Sequence, residues 1–245
     1  MSKVLSIVSV FPEIFNVNGD AENSAVLAAR SRWAGHSARV IRVSQTDPVP
    51  AETPGVVIIG SATDVVLPQA LTALQPYRTA LADWIASGVP IVAVGTGWEL
   101  LAESIELPEG TVEGLGLLPG RAVLAASRVS DDLIVKSGFG RLIGYENHAR
   151  DMVLPEGSVP LGDVVYGRGN GGQASKFSEG LLLVNVIATH LHGPVLAKNP
   201  ALADHVLGLA LGDTYDARNV PAGRVDDIAR AARNIIATRL GQTAE

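Results

Sequence analysis

Three short apolar runs, each separated from the next by segments of helical pattern or proline-rich loop, constrain this chain most. Val4–Val10, Val56–Gly60 and Val89–Val94 are rich in β-branched residues and unbroken by charge, as suits strands buried on both faces. Ala38–Val43 reads as a further strand. Between them, Asn23 or Ser24 caps a helix reaching about Ala34, and Pro68–Ser87 is helical in two pieces around Pro76, with Gly88 as its stop. Trp98–Glu103 is helical after the turn Gly95-Thr96-Gly97. Strands that alternate with helices need parallel crossovers, so the first hundred residues predict a doubly wound, mostly parallel α/β sheet.

The second half has a different rhythm. Leu115 to Val165 carries short apolar runs broken by Gly, Pro, Asp and Ser, which predicts an antiparallel extension built from hairpins. A glycine-rich stretch, Gly167 to Gly172, separates Val164–Tyr166 from a strand expected over Leu181–Thr189. Asn199 caps a helix over Pro200–Leu211, with proline at its first turn. A last amphipathic helix is expected over Val225–Leu240. No repeat, low-complexity tract or linker divides the 245 residues, so a single domain over 1–245 is expected.

Composition removes several function classes. Hydrophobic residues make up 47% and charged residues 18%, enough apolar side chain for a sizeable core. A formal charge of −6 argues against nucleic acid or an anionic membrane surface as the main partner. The apolar start Val4–Phe11 has only Lys3 ahead of it and runs into Pro12, unlike a signal peptide. No run approaches the ~18–20 apolar residues of a membrane span. Cytoplasmic location without membrane insertion is the expectation. The chain contains no cysteine, which excludes disulfides, thiolate metal sites and cysteine nucleophiles.

Two glycine signatures matter. Gly167-x-Gly169-x-x-Gly172 matches the spacing of a dinucleotide fingerprint, but the residues after it are too few and too broken for the required helix, so a hairpin loop is expected. No phosphate loop ending in Gly-Lys-Ser/Thr occurs, and no cofactor is expected. Gly95-Thr96-Gly97 lies between a strand and a helix, the kind of sharp turn on which α/β enzymes raise a nucleophile beside backbone donors. A tight turn needing positive φ explains the same glycines.

Four segments carry a resemblance: Asn18-Gly19-Asp20-Ala21-Glu22-Asn23, Gly114 to Leu118, Gly144-Tyr145-Glu146-Asn147-His148, and His190 to Asp204. In this order they resemble class I glutamine amidotransferase domains of the cobyric-acid-synthase (CobB/CobQ) type. Within that family they are most similar to the glutaminase subunits of lipid II isoglutaminyl synthases. The resemblance implies a class I amidotransferase (flavodoxin-like) fold and a Mur-ligase-like, ATP-dependent synthetase as heterodimer partner. It also implies glutamine, or another small amide or amine, as ligand, and chemistry in which a cysteine–histidine pair hydrolyses glutamine.

By resemblance His192 is the catalytic histidine. The pattern Cys-x-x-x-Gln-x-Leu falls on Gly95 to Leu101, so Gly95 stands at the nucleophile position and Glu99 at that of the family glutamine. The oxyanion turn corresponds to Gly60-Ser61-Ala62-Thr63-Asp64, and Arg128 corresponds to a glutamine-contacting arginine. Glu22 replaces a family glycine. These departures gather at the glutamine pocket, while the segment around His192 is nearly intact.

Simpler readings accompany each histidine. His192 can serve as a hydrogen-bonded residue of a fold-defining turn, and His148 as a strand-end residue. A metal site from His148, His190 and His192, with the last two sharing a strand face, lacks a matching carboxylate pattern, and none is expected. Three functions remain open: a glutaminase-deficient amidotransferase subunit, a hydrolase using Thr96 or a His192-activated water, and a small-molecule binding module in the vacated pocket.

Overall fold

The computed structural model describes residues 4–171, 177–221 and 223–245; Lys3, and Gly172 with the residues after it to Lys176, lie outside them. The first half follows the expected alternation. β1 (Leu5–Val10) leads through α1 (Asn23–Trp33) to β2 (Ala38–Val43) and then β3 (Val56–Ile59). α2 (Leu67–Leu74) and α3 (Arg78–Ala86) follow, joined by a 3-10 turn at Gln75–Tyr77, and β4 (Ile91–Val94) leads into α4 (Thr96–Leu101). Proline's missing N–H and fixed φ divide α2 from α3 at Pro76.

β5 (Ser104–Leu107) and β6 (Gly110–Glu113) form a tight hairpin that the sequence reading did not contain. β7 (Arg121–Ser137) and β8 (Gly140–Val153) make a long antiparallel hairpin, and β9 (Gly162–Tyr166) lies on the other side of β7. The remaining strands are β10 (Ser178–Glu179), β11 (Leu181–Leu182) and β12 (Val186–Thr189). They precede α5 (Val195–Lys198), α6 (Pro200–Leu211) and α7 (Gly223–Arg239).

The main sheet has the order β11-β12-β4-β3-β1-β2 and is parallel except for β11. Side chains alternate across it with period two. Ile7, Ile58 and Val92 pack with Leu27 of α1 and with Leu202 and Val206 of α6. Their neighbours Val8, Val57 and Ile59 pack on the opposite face with Leu67, Leu74 and Leu81 of α2 and α3. Helices therefore cover both faces, and the fold is the doubly wound α/β architecture expected. The second sheet, β10-β9-β7-β5-β6 with β8 on β7, supplies the antiparallel extension. Its Leu133, Val135 and Leu142 join the core cluster of α1 and α6.

Two expectations are corrected. Leu181–Thr189 is not one strand but the antiparallel pair β11 and β12. Asn185 at the turn donates from Nδ2 to Ile85 O and Val89 O, which fixes the reversal. His190 and His192 do not share a strand face, because β12 ends at Thr189 and the chain turns there. Their rings go to separate partners, described below. No described helix is long and apolar enough to cross a membrane.

Candidate functional site

The site forms where the C-terminal ends of β1, β3, β4 and β12 meet the β7–β8 hairpin. An antiparallel bridge joins the two, with His192 N donating to Tyr145 O at 2.8 Å. Ligand sites of open α/β sheets lie at this edge for the same topological reason.

At the end of β4 the chain turns through Gly95, which has φ 54° and ψ −123°. Its N–H donates to Thr189 O, and Gly95 O accepts from Trp98 N and Glu99 N as α4 begins. Positive φ favours glycine at this point, and the surroundings add a second reason. A Cβ at residue 95 would meet His192 Cε1 at 2.7 Å and Ser61 Cβ at 2.9 Å. At Gly97 a Cβ would fall 2.4 Å from Gly60 O, so α4 lies directly against the end of β3. Gly60 is equally enclosed: a Cβ there would meet Phe15 O at 2.1 Å.

His192 is fully buried. Its Nδ1–H donates to Asp20 Oδ2 at 2.9 Å, since a carboxylate oxygen only accepts. Ser61 Oγ donates to the same oxygen at 2.6 Å. Asn18 Nδ2 donates to Ser61 Oγ at 3.0 Å and lies 3.5 Å from His192 Nε2. Asp20 Oδ1 is buried without a partner. An oriented imidazole with Nε2 towards Gly95 is what base catalysis needs, but Gly95 presents no side chain to it.

Thr96 is turned elsewhere. Its Oγ1 accepts from Ala62 N–H at 2.7 Å and donates to Ala62 O at 3.3 Å. The hydroxyl is thus fixed on the turn after β3.

Beside this turn is a cavity of about 310 Å³. Ser61, Thr96, Glu99 and Arg128 line it, as do Asp64 and Arg150; Gly60, Gly95 and His192 do not form its wall. A chain of alternating charges runs through it. Glu99 Oε2 accepts from Arg150 Nε at 2.7 Å, and Arg150 Nη2 pairs with Asp64 Oδ1. Asp64 Oδ2 takes Arg128 Nη1 at 3.2 Å, and Arg128 Nε donates to Asn147 Oδ1 at 3.0 Å. Burial of Arg150 opposes its charge, yet the Glu99 and Asp64 carboxylates outweigh burial and raise its pKa. Glu99 and Arg150 are both buried, whereas Arg128, near a register break in the β7–β8 pairing, is half exposed.

A second set of buried groups starts at His148 in the cavity wall and extends behind it. The His148 and His190 rings stand 4.3 Å apart, each beside its own carboxylate. His148 Nδ1 meets Arg150 O at 2.6 Å and Nε2 meets Glu146 Oε2 at 3.2 Å. Both partners are acceptors, an arrangement that only the doubly protonated ring satisfies. Burial pushes the His148 pKa down, but Glu146 and the Arg150 carbonyl outweigh it and the pKa is raised. Glu179 accepts from Thr189 Oγ1, His190 N and His190 Nδ1. Burial alone would raise its pKa; the His190 charge and these bonds bring it below the ordinary carboxylate range. Glu146 also accepts from Arg168 N and Gly169 N, tying the glycine-rich loop to this layer. Among the described residues, no group of three or more His, Asp or Glu residues could hold a metal ion.

The structure therefore brings His192, Gly95, Ser61 and Thr96 together and places Glu99 and Arg128 on the adjoining wall. Asp20, Asn18 and Arg150 had no role assigned from sequence, and Asp64 entered only as the last residue of the oxyanion turn. Asn18 and Asp20 belong to a recognised segment, and their carboxylate and amide could have been singled out. Arg150 meets Glu99 and Asp64 only through long-range folding, and no local pattern marks it.

The family model for the CobB/CobQ-like glutamine amidotransferase domain matches residues 7–200. The chain is 29% identical over 205 residues to the Staphylococcus aureus lipid II isoglutaminyl synthase (glutamine-hydrolyzing) subunit GatD, covering 83% of each chain. It is 27% identical over 216 residues to the Streptococcus pneumoniae subunit of the same name, covering 86% of this chain and 82% of that one. Among solved structures, a Thermotoga maritima glutamine amidotransferase aligns with TM-score 0.53 at 12% identity, over 92% of this chain and 93% of that one. The glutaminase domain of Trypanosoma brucei CTPS with bound acivicin aligns with TM-score 0.50 at 11% identity, over 86% and 96%. These two likenesses concern the fold.

Proposed function

This chain belongs to the CobB/CobQ-like glutamine amidotransferase family, and from that premise we propose that it is an amidotransferase-like subunit without ordinary cysteine-dependent glutaminase activity. One observation carries the reading: Gly95, at the nucleophile position by resemblance, has no side chain and no room for one, with His192 and Ser61 packed against it. In the family's chemistry a thiolate attacks the amide carbon while histidine manages the proton. Here Asp20 holds His192 and Ser61 from one carboxylate oxygen, and the attacking atom is missing. Ser61, Glu99 and Arg128 keep wall positions suited to contacting a ligand, and Gly60 shapes the turn beneath them.

The relatives named as subunits of lipid II isoglutaminyl synthase support a role in amidating a peptidoglycan precursor, and the cytoplasm is the location we propose for it. In this role the chain binds a Mur-ligase-like, ATP-dependent synthetase that uses free ammonium or another amine. Hydrolysis through Thr96 is the weaker reading, because the Thr96 hydroxyl already bonds both Ala62 backbone groups and no histidine or carboxylate.

Co-expression with a Mur-ligase-like chain from the same genome, followed by affinity purification and sizing, tests the role. A stable complex is expected. A chain that never associates with such a ligase would remove the subunit assignment.

A further inference from the structure

Two groups in the cavity wall determine what it recognises. The first is Ala62 N–H, in the turn after β3. An acyl-transfer site needs such a donor free for the carbonyl oxygen of its substrate. Here Thr96 Oγ1 occupies it at 2.7 Å and returns a bond to Ala62 O. The second is Glu99 Oε1. Glu99 is fully buried and lines the cavity, and this oxygen has no hydrogen-bond partner although Oε2 takes Arg150 Nε. A buried acceptor left unmet is costly, and it favours any ligand that brings a donor to it.

Arg150 is shared between Glu99 and Asp64, and His148, whose charge Glu146 balances from behind the wall, lines the same cavity. Arg128 offsets the Asp64 carboxylate only from a half-exposed position, where solvent screens it. At the outer wall, Arg128 engages Asn147 and Asp64 through Nε and Nη1; among the described residues Nη2 meets no acceptor. One lining residue, Glu99, thus carries an unmet buried acceptor, and a guanidinium edge stands at the outer wall.

We propose that this cavity binds a primary amine as its ammonium ion, through Glu99 Oε1, and does not hold the carbonyl group of an amide. The proposal rests on the reading that the site has no cysteine chemistry, and it gives the ligand class of that same site. Its polarity is the reverse of an amide-hydrolysing pocket: the carbonyl donor is capped by the chain's own hydroxyl, and a carboxylate oxygen is offered instead. A cavity of about 310 Å³ admits a molecule of amino-acid size, with a carboxylate at the Arg128 end.

Two probes of equal length separate amine from amide recognition. δ-Aminovalerate ends in an ammonium, whereas glutaramate carries a carbonyl and an amide at the same distance from its carboxylate. Calorimetric titration of the wild-type chain is expected to give δ-aminovalerate about tenfold or more tighter binding, the factor a charge-assisted hydrogen bond carries. Glu99→Gln should erase that preference. Thr96→Ala frees Ala62 N–H and should shift the preference towards glutaramate while leaving the amine bound.

Equal or tighter binding of glutaramate by the wild type overturns the proposal, as does failure of both probes to bind. A preference that survives Glu99→Gln overturns it too. Should Glu99→Gln not fold, a wild-type crystal soaked with δ-aminovalerate decides by the position of the ammonium relative to Glu99 Oε1. Ammonia release from glutamine is read separately: turnover by the wild type defeats the functional reading above, whatever the binding preference.

Discussion

The His192 ring occupies the space that a side chain on Gly95 would enter: a Cβ at residue 95 would lie 2.7 Å from His192 Cε1 and 3.3 Å from Nε2. The imidazole is held there by Asp20 through Nδ1, and Ser61 closes the other side through its own bond to Asp20. The turn is therefore packed around a glycine, in a conformation that also favours glycine.

Gly95→Ala should accordingly destabilise the protein by about 1–3 kcal/mol, the cost of holding a non-glycine residue in a strained backbone region, before any cost of moving His192. Urea denaturation of wild type and variant gives the number. Unchanged stability would mean that the ring and Ser61 shift freely.

Gly95→Cys alone should restore little glutaminase turnover, because Thr96 caps Ala62 N–H and Glu99 replaces the family glutamine. Ammonia release assayed in the single variant and in Gly95→Cys/Thr96→Gly/Glu99→Gln distinguishes the causes, with measurable turnover expected only in the triple variant. Family-like rates in Gly95→Cys would contradict a broadly remodelled pocket.

The Glu99–Arg150 pair is buried on both sides, so removing one partner strands the other. Arg150→Ala should cost about 3–5 kcal/mol, and adding Glu99→Gln should return part of the loss. A cycle of the two single variants and the double variant in chemical denaturation measures the coupling. Additive effects would show the pair to be energetically inert.

The pH dependence of stability has two opposing contributions. The pKa of His148 is raised from 6.5 in the fold, so its charge stabilises the fold below that value and the gain is lost as pH rises through the raised pKa. Glu179 is held below its ordinary range of about 4.5; its stabilisation is present above that range and is lost as pH falls through the lowered value. His148→Gln should flatten the wild-type decline above pH 6.5. Glu179→Gln should be most damaging near neutrality, with the gap to wild type narrowing in acid. Denaturation midpoints across pH read both slopes.

Legibility from sequence followed the range of the interactions involved. β1, β2, β3 and β4 and the split at Pro76 were readable because apolar period and proline chemistry act locally. Pro200–Leu211 matches residue for residue, since Pro200 marks its start; the expected cap by Asn199 is not made, because its side chain bonds Ile143 and Val195 instead. The β5–β6 hairpin was missed because its exposed second strand carries no apolar alternation. The break at Asn185 was missed because two distant backbone carbonyls, not a turn motif, fix it. At the site, the resemblance pointed to Gly95, Glu99 and His192. What surrounds them comes from residues far apart in the chain: Asp20 to His192, Thr96 to Ala62, and Arg150 to Glu99 and Asp64. Asp20 lies in a segment the resemblance already marked, but its pairing with His192, like the others, has no signature in a single sequence.

Ammonia release from glutamine by the purified wild-type chain, alone and in complex with a Mur-ligase-like partner, decides whether the chain hydrolyses glutamine, with His192→Ala as control. No release above background is expected in either state, and no difference between wild type and His192→Ala. Sustained hydrolysis by the wild type that disappears in His192→Ala would contradict the proposed function.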